Sequence, residues 1–110
     1  MDFNEYQKKA WSTAKYRNKG YNIYYPIMGL GSETGEVLGK IKRIMRDQNN
    51  DIISIDLRNK IIDELGDVLW YIAAIATELN TSLETIAYLN IDKLSDRKKR
   101  DVISGEGDER

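Results

Sequence analysis

Four acidic residues carry the chemistry open to this sequence. Glu33 and Glu36 lie in LGSETGEVLGKIKRIM, residues 30–45, and Glu64 and Asp67 lie in DELGDVLWYI, residues 63–72. Each pair is spaced three apart in sequence that otherwise reads as amphipathic helix. At that spacing two side chains occupy neighbouring parts of one helix face, so each segment offers two carboxylates side by side. If the two helices pack together, four carboxylates converge, and the cluster repels itself unless something positive sits in it. Glu33 and Glu64 fall at the edge of the apolar stripe of their helices, with Glu36 and Asp67 further round. A carboxylate at that edge is partly desolvated, which is costly unless it is protonated, paired or metal-bound. Each pair also encloses a glycine, Gly35 or Gly66, which clears space beside the carboxylates.

Composition narrows the chemistry further. The chain has no cysteine and no histidine. Thiolate nucleophiles, Cys/His zinc sites, the Glu-x-x-His di-iron pattern of helical bundles and imidazole acid–base catalysis are excluded. Oxygen-only ligation points to magnesium, manganese or calcium. With 17 basic and 18 acidic residues the net charge is −1, which gives no bulk attraction for nucleic acid or anionic membrane. No apolar stretch reaches the ~20 residues of a membrane helix, and the N-terminus has no apolar signal-peptide run. A soluble cytoplasmic protein is the expectation.

The elements that must position the acids are four helices. Residues 2 to about 19 follow helical spacing through Phe3, Tyr6, Ala10 and Ala14, and Gly20 ends the helix. GYNIYYP is an aromatic loop; Trp11 and its tyrosines serve either as packing or as a base-stacking platform. Pro26 suits a helix start, and the second helix runs to about Arg46 with Ile27, Leu30, Val37, Leu38, Ile41, Ile44 and Met45 in one sector. Gly31, Gly35 and Gly39, spaced by four, let another backbone or a ligand come close. DQNNDIIS from Asp47 is a loop. The third helix starts near Ile53 or Ser54 and ends at Leu79, with Ile61, Leu65, Val68, Ile72, Ile75 and Leu79 as its spine. Thr81 and Glu84 form a capping box for a fourth helix ending near Arg97. Asn90, Lys93 and Arg97 share one of its faces. The expected fold is all-α, a four-helix antiparallel bundle, as one domain over residues 1–97 with a charged, glycine-containing tail over 98–110.

At these residues the sequence resembles the MazG-like nucleoside triphosphate pyrophosphohydrolases of the all-α NTP pyrophosphatase superfamily. Their pattern is Glu-x-x-Glu, a spacer, then Glu-x-x-Asp. Here it reads Glu33-Thr-Gly-Glu36, 27 residues, then Glu64-Leu-Gly-Asp67. The flanks GLGSETGEV and DELGDVLWYIA and the stretch NIDKLSDRKKRDVISGEGDER extend the likeness over nearly the whole chain. One departure is Ser32, where the family often has a glutamate adjoining the first motif.

The resemblance implies that Glu33, Glu36, Glu64 and Asp67 ligate Mg²⁺, with Mn²⁺ as a substitute. It implies attack of water on the α-phosphorus of a nucleoside triphosphate, with release of pyrophosphate and a monophosphate. One of the four acids, with Glu36 as a candidate, orients or deprotonates that water. Asn90, Lys93 and Arg97 face the triphosphate, Lys40 and Arg110 join them as substrate contacts, and the tail folds over the nucleotide. The resemblance also implies a homodimer or homotetramer, with Gly31, Gly35 and Gly39 available for the interface. A dUTP- or dCTP-specific pyrophosphatase of the same fold and a non-catalytic helical interaction module are the rival readings. For reading a base the sequence offers only Gln7, Trp11 and Tyr24.

Overall fold

The computed structural model describes residues 1–48 and 53–108. They form four helices and no strand: α1 (Phe3–Ser12), α2 (Tyr24–Asp47), α3 (Ile55–Glu78) and α4 (Leu83–Lys99). None is long and apolar enough to cross a membrane. Of the loop predicted from Asp47, Asp47 itself ends α2, and residues 49–52 lie outside the described residues.

The helix ends show where side chains compete with the backbone. α1 stops at Ser12, well short of the expected residue 19. The Ser12 and Thr13 hydroxyls donate to the carbonyls of Lys9 and Ala10 at 2.6 and 2.7 Å, a local bonding pattern that weakens a helix interior. Lys19 then folds back, its ammonium donating to the Trp11 carbonyl at 2.7 Å. α2 begins at Tyr24, ahead of Pro26. Pro26 therefore stands within the first turn, where a missing N–H costs nothing, and Asn22 Oδ1 accepts from the Tyr25 N–H at 3.2 Å.

The expected capping box at Thr81 is displaced by one residue. Ser82 is the N-cap of α4 and accepts from the Thr85 N–H at 3.0 Å. Glu84 instead accepts from Asn4 of α1 at 2.9 Å. α3 and α4 both end in Schellman turns built on a left-handed Asn80 and Asp101, with φ of 56° at each. Thr81 and Val102 donate their N–H groups to Ala76 and Arg97, closing those turns.

α2 and α3 form a long antiparallel hairpin. α1 packs on the C-terminal half of α3, and α4 contacts α1 and α3 but not α2. The expected all-α, four-helix composition is present, in an open arrangement in which α2 contacts only α3. Its radius of gyration is 17.1 Å, against about 13 Å for a compact chain near this length. The core lies where α1, α3 and α4 meet: Ala10, Ala73, Ala76 and Leu83, flanked by Tyr6, Trp70 and Ile72. Alanines dominate because the helices approach closely there. Part of the expected apolar spine is left uncovered, including Leu65 of α3, Leu79 at its C-cap, and Leu38 and Met45 of α2.

Gln7 ties this junction together. Its amide nitrogen donates to Thr77 Oγ1 and the Thr81 carbonyl, each at 3.0 Å. Its amide oxygen accepts from the Leu83 N–H at 2.8 Å, satisfying an N–H that the start of α4 would otherwise leave unpaired. That role commits both amide protons of Gln7 to structural bonds within the fold.

Candidate functional site

The hairpin of α2 and α3 brings three of the four acids together. One carboxylate oxygen each from Glu33, Glu64 and Asp67 lie within 4.8 Å of one another. Glu33 and Glu64 are half-buried and Asp67 is exposed, the order in which they leave the apolar stripe. Glu36 is exposed and stands outside the trio. Its charge is nonetheless felt at Glu33, one helical turn away. The Glu33 carboxyl is pushed above the ordinary carboxylate range, by burial first, then by the Asp67 charge and the contact and charge of Glu64, with Glu36 contributing least.

Lys40 stands beside this group, its ammonium 3.5 Å from Glu64 Oε1 and both side chains about four-fifths covered. Next to the carboxylates opens a cavity of about 380 Å³ lined by Glu33, Asp67, Thr13, Trp70 and Tyr71. The Trp70 indole N–H donates to Thr13 Oγ1 at 2.8 Å, so the end of α1 fixes that ring. Trp70 and Tyr71 meet edge to face at 5.0 Å. Tyr71 leads through Tyr25 to Tyr16, which stack with ring centres 4.7 Å apart. The Tyr16 hydroxyl is buried and, among the described residues, has no partner at hydrogen-bonding geometry. Burial, then the nearby Glu78 carboxylate, push it up to about 12.

Trp70, Tyr71 and Thr13 are not among the site residues expected from the sequence. The signal for the first two was present, since they follow Asp67 by three and four positions and so share its side of α3. Thr13 reaches the site only because α1 ends where it does. Of the loop tyrosines, Tyr25 joins the stack and is about half exposed, while Tyr21 and Tyr24 stand out further into solvent.

The expected phosphate contacts on α4 do not line this cavity. Asn90 and Lys93 are exposed. Arg97 is only 5 % exposed and donates to the Asp108 carbonyl at 3.0 Å. The tail to residue 108 thus folds back on the end of α4. Arg110 lies outside the described residues. Among the described residues, no other element of the chain comes close to the glycine stripe: beside Gly31 and Gly35 there is open space, and Gly39 faces only Arg43 of its own helix. Gly29 is the glycine at a close approach, set against the ring of Tyr71.

A trio of hard oxygen donors, in a chain without histidine or cysteine, fits a cation such as magnesium, with Mg–O bonds of ~2.0–2.1 Å and room for water and phosphate ligands. Fold and site together define an all-α protein whose two longest helices bring three carboxylates together beside an aromatic-lined cavity. The family model for the MazG nucleotide pyrophosphohydrolase domain matches residues 27–102, which include both acidic motifs and α4, and the chain belongs to that family. It is 40 % identical to the Gene 37 protein of Mycobacterium phage L5 over the full length of both chains. It is 29 % identical to the Bacillus subtilis protein YvdC over 81 % of this chain and 91 % of that one. No solved structure matches it significantly.

Proposed function

We propose that the protein hydrolyses nucleoside or deoxynucleoside triphosphates to the monophosphate and pyrophosphate with Mg²⁺, Mn²⁺ serving as a substitute. The observation that carries this reading is the convergence of Glu33, Glu64 and Asp67 at the motif positions of a MazG domain. These three side chains hold the cation. When bound, it supplies positive charge that offsets the triphosphate and the charge developing on the reacting phosphoryl group.

The chain's own groups do the rest. Glu36 stands one turn from Glu33 at the rim, free of the trio, and takes the proton of the water that attacks the α-phosphorus. The bond from that phosphorus to the bridging oxygen breaks, and pyrophosphate leaves. Lys40 is the protein cation nearest the carboxylates and meets the phosphate chain. Trp70 and Tyr71 wall the adjoining cavity and exclude water from one side of the nucleotide.

The working form is a homo-oligomer. Leu38 and Met45 of α2 and Tyr88, Leu89 and Ile91 of α4 are each more than half exposed. α2 also carries an open apolar groove along Gly35, Leu38, Gly39, Ile41, Lys42 and Met45. Apolar surface of that extent on one chain marks an association face. Incubation with Mg²⁺ and a panel of NTPs and dNTPs, followed by product separation, tests the activity. Monophosphate plus pyrophosphate is expected; diphosphate plus orthophosphate, or no turnover of any member, overturns it. Light scattering on the eluting protein tests the assembly, and a single 12.7 kDa species would contradict it.

A further inference from the structure

We propose that Lys40 is a built-in counter-cation of the carboxylate trio, which a divalent ion displaces from Glu64 and which that displacement frees to meet the nucleotide's phosphates. The inference rests on the reading of Glu33, Glu64 and Asp67 as a cation site.

Four ion pairs are found among the described residues, and this one is unlike the rest. Arg46–Asp47, Lys60–Asp56 and Arg100–Asp96 each lie within five residues of one helix, with side chains half or more exposed. Lys40–Glu64 joins α2 to α3, with side chains 21 % and 19 % exposed. A pair covered to that degree is screened less by water and salt than a surface pair. Lys40 follows Glu33 by seven residues, two helical turns, and so rides the same stripe toward α3. Its target oxygen belongs to the carboxylate that also meets Glu33 and Asp67. At 3.5 Å the contact is looser than the ~2.7–2.9 Å of a tight charge-assisted bond, so the ammonium is held by charge more than by a fixed hydrogen bond.

One carboxylate cannot serve both cations at no cost. A divalent ion at the trio would meet the like charge of Lys40 at close range in a partly covered site, where such repulsion is strong. The flexible four-carbon stem lets the ammonium swing away. Lys40 therefore lowers the affinity of the bare site for the metal, while holding α2 and α3 together against the repulsion of the acids. With nucleotide and metal both present, the displaced ammonium gains the phosphates as partners. Metal and nucleotide then bind cooperatively.

The test is Mn²⁺ binding without nucleotide, read from the electron paramagnetic resonance signal of the free ion. Lys40→Met keeps the stem and removes the charge; Lys40→Arg keeps the charge. Lys40→Met is expected to bind Mn²⁺ on the order of tenfold more tightly than wild type, with Lys40→Arg close to wild type, and to show a raised KM for nucleotide. Equal or weaker Mn²⁺ binding by Lys40→Met overturns the proposal. Wild-type protein that takes up Mn²⁺ supports the cation site whatever Lys40 does, whereas failure of both proteins to bind removes the site and this inference together. A Mg²⁺ titration of the wild type, followed by the Lys40 side-chain NMR signals, needs no stable variant. Signals that shift to saturation support displacement, and signals that stay fixed overturn it.

Discussion

Gly29 of α2 lies against the ring of Tyr71 of α3 so closely that a β-carbon at position 29 would overlap it. The contact sets how near the two helices come one turn before Glu33, and it holds in place a wall of the cavity beside the carboxylates. Gly29→Ala should therefore destabilise the fold by about 1–3 kcal/mol through overpacking, despite the ~1 kcal/mol that alanine gains over glycine inside a helix. In a Tyr71→Ala background the same change should be neutral or stabilising. Urea denaturation of the four proteins gives this coupling directly, and additive effects would mean that the ring does not set the helix spacing. Gly31→Ala makes the contrast, since open space beside it leaves only the propensity gain.

Gln7 presents a different kind of constraint. Its amide joins Thr77, the Thr81 carbonyl and the Leu83 N–H across three elements. Gln7→Leu keeps the bulk and orphans half-buried backbone groups, a loss of about 1–3 kcal/mol. Hydrogen exchange should show the first turn of α4 opening more readily, with α2 and its contacts to α3 unchanged. A uniform effect over all four helices would show that Gln7 does not act locally.

The contrast between these two residues bears on what the sequence reveals. The helical period placed Glu33, Glu64 and the long body of α2 and α3 correctly, because a 24-residue amphipathic stretch repeats its signal many times. The end of α1 turned on two hydroxyls and a lysine reaching back from residue 19, and no periodicity records such bonds. The start of α4 went to Ser82, while Glu84 pairs instead with Asn4, 80 residues away in sequence, through a tertiary contact. Gly29 is one of four glycines in α2, and only the Tyr71 ring across the hairpin sets it apart. The apolar sector of α2 includes Leu38 and Met45, yet both face outward in the single chain, since a hydrophobic stripe does not say whether a helix or another copy of the chain will cover it.

Within the site the acids should not be equivalent. Replacing Glu33, Glu64 or Asp67 by its amide removes a member of the converging trio. Each should lower turnover by more than the about 10–100-fold typical of losing an outer-shell partner of a metal. Glu36→Gln leaves the trio intact. It should lower kcat while changing Mn²⁺ affinity little, if Glu36 handles the water. Steady-state kinetics beside a metal titration separates the two cases, and an equal loss of metal binding at all four positions would return Glu36 to the ligand set.

The raised Glu33 carboxyl gives the last prediction its sign. Its folded value lies above the ordinary 4.5 because burial, then Asp67 and Glu64, oppose its ionised form. Between the unfolded and folded values the native protein binds more protons than the unfolded chain, so metal-free stability falls as pH rises through that window. Glu33→Gln abolishes the ionisation and should raise the melting temperature in EDTA near neutral pH. That gain should shrink on acidification and vanish once both states of the wild-type residue are protonated, below the ordinary value. Added Mg²⁺ should reverse the order, stabilising wild type through binding to the native state and Glu33→Gln much less. Thermal melts across pH, with EDTA and with Mg²⁺, read both signs. A variant less stable than wild type in EDTA at neutral pH would mean that Glu33 is held by favourable partners and is not strained by its acidic neighbours.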